Sequence, residues 1–451
     1  MTAATSTALT AGDRSFPWRG ELPTSWSTKP LKYLTRMNAN TWGENTDPEL
    51  LLRYVDIGSV NSNGEIGSTE DLLFENAPSR ARRIVSDGDV LISTVRTYLR
   101  AIAFCERASE NLTCSTGFAV VTAGTAVDPK FLFYWARSSH FVDEIVSRSL
   151  GVSYPAINAA EIGNLPFPTI GRDEQQQIAA FLDHKTAELD AVLHLKKRQL
   201  GLLAEKRQAL ISQAVTRGLD PTAPLKPSGI PWLGDVPRHW EVKRLKFVKS
   251  GPLMYGANEA ATSDDPDMPR FIRITDLNDD GTLREDTFRS LPEDVAAPYI
   301  LNDGDFLFAR SGATVGKAFM YSESLGRACF AGYLIRLRPL RRVLIHDFLR
   351  YYIQSAGYEG AVKEVSIQST IQNVSAEKYS NFTLPLPPPP EQQAIVNDLD
   401  RETAQMDRIA QTVRTQIEKV REYRQALISE AVTGKIDVRG QEKASSSACQ
   451  D

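Results

Sequence analysis

The chain has 451 residues, more than one hydrophobic core usually organises, so two or more domains are expected. Its 42% hydrophobic and 24% charged residues are those of a folded globular protein, and a formal net charge of -4 excludes a uniformly basic nucleic-acid binder, so any such surface must be local or completed by a partner. No apolar run approaches the roughly 20 residues that span a bilayer, and the opening MTAATSTALTAGDRSFPW lacks a basic segment followed by an apolar core, which makes the cytoplasm the expected compartment, with no membrane partner.

Residues 1–15 are polar and small-side-chained and read as a flexible N-terminus. From Phe16, FPWRGELPTSW opens a first globular domain, 16–170, in which YVDIG, VLIST and GFAVVTA read as strands and FLFYWARS as a short helix packed on them. Asp87-Gly88-Asp89, just before an apolar strand, reads as a tight turn with backbone roles rather than as a catalytic carboxylate pair. LPFP at Leu165 stops the strand pattern, and segment 171–216 carries a helix from Glu174 to Thr216. Its apolar series is Leu182, Leu189, Leu203 and Leu210, with Leu193, Leu200 and Ala214 alongside; Lys196 interrupts the seam, fixing register or snorkelling to solvent.

A linker at 217–229 leads to a second domain, 230–388, opened by IPWLGDVPRHW and carrying FIRIT, FLFAR, GYLIRLRP and FLRYYIQS, with the turn Asp303-Gly304-Asp305. LPLPPPP then precedes segment 389–434, whose helix from Glu391 to Thr433 shows Leu399, Met406, Val413, Val420 and Leu427 at seven-residue steps, flanked by Ile395, Ile409 and Ile417. Residues 435–451 read as a flexible tail.

The second half repeats the first. FPWRGELPTSW matches IPWLGDVPRHW, VSDGDVLIS matches LNDGDFLFA, KFLFYWARS matches DFLRYYIQS, EQQQIAAFLD matches EQQAIVNDLD and RQALISQAVT matches RQALISEAVT, all at offsets of 214 to 217. The unit is one mixed α/β domain followed by one helix of roughly 65 Å at 1.5 Å per residue. Because the ends of a compact domain commonly lie close together, the end of the first helix is expected beside the start of the second. The expected fold is therefore two homologous globular domains joined by two long antiparallel coiled-coil helices, a dumbbell with an internal pseudo-twofold.

Catalytic signals are missing. Gly312-Ala-Thr-Val-Gly316-Lys317-Ala318 has one residue too few for a phosphate loop and alanine where the magnesium-binding hydroxyl belongs. His140, His184, His194, His239 and His346 form no close ligand pair, and Cys105, Cys114, Cys329 and Cys449 are dispersed without metal-ligand spacing. Neither the tetrapeptide of amino-methyltransferases nor a nuclease carboxylate-lysine cluster is present, so no catalysis by the chain alone is expected.

GELPTSW and PWLGDVPRHWEVKRLK at the domain starts, the DGD turns, and LP-apolar-P before EQQ-x-I helices ending in RQALIS-x-AVT resemble the specificity subunit of type I restriction-modification systems over residues 16 to 437. The resemblance implies that 16–170 and 230–388 are target recognition domains, each reading one half of a bipartite asymmetric site in double-stranded DNA. It implies that the paired helices set the spacer and bind two methyltransferase subunits, which use S-adenosylmethionine to methylate adenine. It further implies restriction subunits, driven by ATP with magnesium, in the full complex, and no cofactor in this chain.

A dumbbell some 65 Å long exceeds one turn of B-DNA, about 34 Å, which suits two half-sites around an unread spacer. Arginine reads guanine bidentately in the major groove. The candidate DNA contacts are Arg80, Arg82, Arg83, Arg96 and Arg100 in the first domain, and Arg310, Lys317, Arg336, Arg338, Arg341 and Arg342 in the second. Sequence does not separate base readers from phosphate contacts or plain surface charge. The repeat is strongest in the helices and weakest in the domain surfaces, so the two half-sites are expected to differ. Two other readings are a protein-binding scaffold, which leaves the diversified arginine surfaces without a role, and an autonomous enzyme with an unrecognised site.

Overall fold

The structure, a computed structural model, describes residues 22–61, 63–151, 155–278, 282–367 and 373–438. The expected flexible N-terminus, most of the expected tail and Cys449 lie outside the described residues. Among the described residues no helix is long and apolar enough to cross a membrane.

In chain order the first domain contains β1 (Ser27–Pro30), β2 (Thr35–Met37), β3 (Leu51–Val55), β4 (Glu70–Leu73), β5 (Ala81–Ile84), β6 (Val90–Ser93), β7 (Ile102–Phe104), β8 (Leu112–Ser115) and β9 (Phe118–Ala123). Helices α1 (Pro129–Arg137), α2 (Ser139–Arg148) and α3 (Ala159–Gly163), then β10 (Pro166–Thr169), lead into the long α4 (Arg172–Arg217). One sheet runs β2-β9-β6-β7, antiparallel throughout; a second runs β4-β3-β8-β5, with β3 parallel to β8. The Asp128 side chain accepts the Phe131 amide at 3.0 Å and Pro129 opens α1, whose missing N–H is not needed there. Ser138 ends α1 and caps α2. The amphipathic α1 buries Phe131 and Trp135 completely, both edge-on to Phe167.

The second domain contains β11 (Leu225–Pro227), β12 (Asp235–Pro237), β13 (Glu241–Arg244), β14 (Met254–Tyr255), β15 (Arg270–Ile272), α5 (Glu293–Ala296), β16 (Phe306–Ala309), β17 (Ala318–Met320), β18 (Ala328–Phe330) and β19 (Leu334–Leu337). There follow α6 (His346–Tyr352), α7 (Ala356–Ile367), α8 (Ala376–Ser380), β20 (Thr383–Leu386) and the long α9 (Pro389–Val432). Its main sheet, β14-β19-β16-β17, repeats the order of the first domain, and β15 lies parallel to β18 as β3 does to β8. The three short helices after the sheet and the strand before the long helix recur as well. The duplication is therefore one of topology, and among the described residues the differences are β4 and β5 in one domain and β11, β12 and α5 in the other.

The chain divides into two compact units, Met1–Lys196 with Thr415–Asp451, and Lys197–Arg414. Each holds one globular domain and a part of both long helices, so the division falls within the helices rather than at their ends. In the first unit Ile178, Ala179 and Leu182 of α4 share a core with Leu427, Ile428 and Ala431 of α9; in the second, Ile211, Ala214 and Val215 of α4 share one with Ile395, Val396 and Leu399. In each unit the start of one helix meets the end of the other, so the helices run antiparallel.

The seam includes Leu182, Leu193, Leu399, Met406, Val413, Ile417 and Leu427, all buried, while Leu189, Leu200, Leu203, Leu210 and Val420 are partly buried. Ile409 corrects the expected pattern: it is 38% exposed, and the inward position is Ala410. Alternating steps of three and four residues place Thr403, Ala410, Ile417 and Arg424 in the second series. Polar residues at four such positions of the two helices hide from an apolar count. Thr186 and Thr403 are buried and return their hydroxyls to Leu182 and Leu399 carbonyls at 2.7 Å, while Arg424 meets Asp190 at 3.1 Å and Arg207 meets Asp407 at 3.0 Å.

The repeated helix motifs prove to be docking residues. Buried Gln392 accepts the Ile345 amide at 2.8 Å and donates to the Val343 and Pro387 carbonyls, both at 2.8 Å. Gln175 does the same with Asp128, Ala126 and Ile170. At the other helix ends, Ser429 accepts the Ser139 amide and Gln425 donates to the Arg137 carbonyl, as Ser212 and Gln208 do with Ala356 and Gln354. Tyr134 and Tyr351 donate to Asp183 and Asp400 of the adjoining helices, at 2.7 and 2.6 Å.

Replacing Gln392 by leucine would strand buried backbone groups at the helix–domain junction and should lower the unfolding free energy by roughly 2–4 kcal/mol, measured by denaturant titration. Cys105, Cys114 and Cys329 are buried and free, and burial pushes each thiol up to about 12. Thiolate is the reactive form and is scarce at any lower pH, so at pH 8 these three should resist a thiol reagent in the native chain and react once it is unfolded, as read by mass mapping.

Candidate nucleic-acid interface

Both DGD turns are structural. Gly88 and Gly304 take left-handed backbone, with φ of +81° and +78°, which a side chain would oppose. Asp89 is buried and accepts the Ser86 amide at 2.7 Å and the Thr122 hydroxyl at 2.6 Å. Asp305, likewise buried, accepts the Asn302 amide at 2.9 Å and a fork of two 2.7 Å bonds from Arg338. Both carboxylates are spent within the fold. The glycine-rich stretch from Gly312 forms a short 3-10 turn, Gly312–Thr314, and then enters β17 rather than a helix, so it lacks the amide-bearing helix end of a phosphate loop. Among the described residues no group of three His, Cys, Asp or Glu is placed to hold a metal ion.

From each DGD turn a buried strand, β6 or β16, runs to the far edge of its domain. There the two domains use one backbone scaffold. In the first, Thr94 N donates to the Gly117 carbonyl at 2.8 Å and Ile157 N to the Thr94 carbonyl at 2.9 Å. In the second, Arg310 N donates to the Tyr333 carbonyl at 3.1 Å and Val374 N to the Arg310 carbonyl at 2.8 Å. The positions correspond at the repeat offset, yet threonine, glycine and isoleucine in one domain face arginine, tyrosine and valine in the other.

The second edge is aromatic and basic. The Arg310 guanidinium stacks 4.8 Å from the Tyr255 ring centroid, and its Nε donates to Asn373 Oδ1 at 3.3 Å. Tyr255 is itself held, its hydroxyl accepting the Ala376 amide at 2.9 Å, and Tyr333 beside it is 61% exposed. Lys317 sits across the hairpin, its carbonyl accepting the Ala309 amide at 2.8 Å. The first edge carries exposed Arg96 and Arg100, one on each side of a 3-10 turn, and exposed Arg80, whose carbonyl accepts the Thr116 amide next to Gly117. A bond from its side chain to the Tyr54 hydroxyl raises the Arg80 pKa.

The other arginine candidates lie elsewhere. Arg83 is half-buried, bonded to Asn38 Oδ1 and the Phe118 carbonyl, and burial lowers its pKa. Arg82 stacks on Phe74 at 4.5 Å. Burial also lowers Arg336, which reaches toward the Ile300 carbonyl, and Arg338 is committed to Asp305. Arg338 and Arg341, which pairs with Asp303 at 3.5 Å, belong to the DGD end of β16, opposite Arg310, and exposed Arg342 follows Arg341 in the chain. Sequence reasoning missed Tyr255, Tyr333 and Asn373; the mismatch of Tyr333 with Gly117 at the repeat offset was the available signal.

A cleft of about 730 Å³ in the first unit lies among residues 63–69, α1 and the two long helices. Its charges answer one another: Lys130 meets Glu106 at 3.3 Å and Asp183 at 3.2 Å, and Arg424 meets Asp190. Buried Arg137, bonded to the Asn63 carbonyl, is pushed down to about 10 by desolvation and by nearby Arg424. The cleft belongs to helix–domain docking.

Residues 237–419 match the family described as the type I restriction modification DNA specificity domain. The chain is 23% identical over 93% of its length to the type I restriction enzyme StySPI specificity subunit of Salmonella potsdam, covering 90% of that protein. It is also 23% identical, over 92% of its length and 90% of the relative's, to the EcoKI specificity subunit of Escherichia coli K12. A solved chain of a type I restriction-modification system shares the fold, with TM-score 0.71 and 24% identity over 92% of this chain and 99% of the other. The HsdS subunit of Thermoanaerobacter tengcongensis aligns with TM-score 0.50 and 25% identity over 92% and 98%. The specificity-domain match spans the second repeat, and the likeness to type I specificity subunits spans both repeats.

Proposed function

We propose that this chain is the non-catalytic DNA-specificity subunit of a type I restriction-modification complex, each domain reading one half of a bipartite asymmetric target. The observation that carries this reading is the shared edge: one backbone scaffold, built twice, bears Thr94 and Gly117 in one copy and Arg310 and Tyr333 in the other. A binder of two identical ligands would keep those side chains alike. Contacts to phosphate give affinity without sequence, and base-edge contacts give specificity.

In the second domain Arg310 is held by Tyr255 and Asn373 in a restricted pose, which suits bidentate reading of guanine. Arg96, Arg100 and Arg80 supply the first edge with positive charge. The long helices are proposed to set the gap between half-sites and to dock two methyltransferase subunits, which bring S-adenosylmethionine and the adenine chemistry. Restriction subunits using ATP and magnesium would join the same complex. With a net charge of -4, much of the phosphate contact falls to the methyltransferases.

The test is to assemble the chain with its methyltransferase in a methylation-free host and map modified adenines. One asymmetric motif with a fixed gap is expected; a stable, active complex that adds no new methylation would overturn the reading. Arg310→Ala should relax one position of one half-site, at a cost of about 1–3 kcal/mol in discrimination. Even weakening at all sites would assign Arg310 to phosphate instead. Arg338→Met serves as the contrast, destabilising the second domain by about 3 kcal/mol through the uncovered Asp305 carboxylate while leaving the motif unchanged. Inserting seven residues at matching positions of both helices should lengthen the unread gap and keep both half-sites, and an unchanged gap in the methylome would refute the spacer role.

A further inference from the structure

The 3-10 turn Thr97–Leu99 is bracketed by Arg96 and Arg100, both in left-handed backbone, with φ of +50° and +54°. Residues with a Cβ are strained there, and such strain persists where the surrounding structure enforces it. The enforcement is visible. Arg96 N donates to the Pro155 carbonyl at 2.8 Å, buried Thr97 exchanges a 2.9 Å hydroxyl bond with Ser149, and Arg100 N returns to the Thr97 carbonyl at 3.1 Å. Leu150 and Ala156 exchange two backbone bonds, each 2.9 Å, beneath it. The result is a rigid knuckle that turns Thr97 inward and Tyr98 and Leu99 outward, 54% and 53% exposed, next to Leu150 at 79%.

Large apolar side chains held in water are unfavourable, and a rigid mount prevents them from folding back. The chemistry around them is one-sided. The sequence has no Asp or Glu from Val90 to Cys105 or from Ser149 to Ala160, while arginines stand at both ends of the turn. Arg100 pairs with exposed Asp143 at 3.5 Å. The knuckle also follows directly from Thr94, on the same edge proposed for DNA reading. An apolar tip between two cations fits a duplex, whose outside is anionic and whose base stack is apolar, and proteins that kink DNA insert such side chains between base steps.

We propose that Tyr98 and Leu99 form an apolar wedge with which the first domain enters the base stack of its half-site, Arg96 and Arg100 resting on the flanking phosphates; this rests on the specificity reading above. At the repeat offset the second domain has Thr314 and Val315 in place of Tyr98 and Leu99, and Val315 packs against the core, so the distortion belongs to one half-site alone.

The test uses the full chain assembled with its methyltransferase subunits and duplexes of the mapped motif carrying 2-aminopurine at successive positions. The half-site altered by Arg310→Ala identifies the second domain's; the other is the first domain's. At saturation the wild-type complex should raise emission at one step of the first half-site. Tyr98→Ala with Leu99→Ala should abolish that rise and weaken binding on the order of tenfold, leaving the second half-site unaffected. Tyr98→Phe with Leu99→Met, which keeps the apolar bulk, should restore both. Unchanged emission and affinity in the alanine variant overturn the wedge, as does loss of the methyltransferase from that variant's complex, which would make the knuckle a protein contact. A wild-type complex that methylates no bipartite motif overturns the specificity reading and the wedge with it.

Discussion

A buried glutamine at the head of each long helix governs how the rest of the chain is organised. Gln175 and Gln392 each use both ends of the amide to satisfy three backbone groups of the neighbouring domain, groups that would otherwise be buried without partners. The helices need such anchoring, because threonine and arginine occupy several seam positions and a purely apolar grip is lacking. Each domain therefore grips two helix segments, the head of one through glutamine and tyrosine, and the end of the other through the serine and glutamine of the RQALIS motif. In the second unit the clamp extends to the domain's opening motif, where buried Trp240 and exposed His239 both bond to Glu391, at 3.0 and 2.8 Å.

This arrangement explains how duplication separates constant from variable residues. The docking groups meet defined backbone atoms at fixed distances, and a change on one side leaves a buried donor or acceptor unpaired. The edge residues hang from backbone-to-backbone bonds that are indifferent to the side chain. Thr94 can become Arg310 and Gly117 can become Tyr333 without disturbing the links that position them. A scaffold of this kind tolerates change at the proposed reading edge and resists it where the helices are held.

Charge alone locates little of the proposed interface. Arg83 and Arg338 look in sequence like Arg96 and Arg310, but the first pair spend their donors on a carbonyl, an amide oxygen and a carboxylate inside their own domains. An arginine's five donors serve internal backbone and external phosphate equally well, so surroundings decide its role. What distinguishes Arg310 is its company, an aromatic face and an amide side chain at an exposed edge.

The duplication, the two long helices, the DGD turns and the short helix after each sheet were legible in the amino-acid order. They depend on local periodicity, on turn residues and on self-similarity, which need no knowledge of distant neighbours. The antiparallel course of the helices followed from connectivity. Folding alone decided the shared sheet order and the choice of Ala410 over Ile409 for the seam. It also brought Tyr255, Asn373 and Tyr333 to one edge around Arg310, from places 23 to 63 residues away from it in the chain. Those outcomes depend on which strands pair and on polar residues packing as if apolar, and neither is written in any local stretch of sequence.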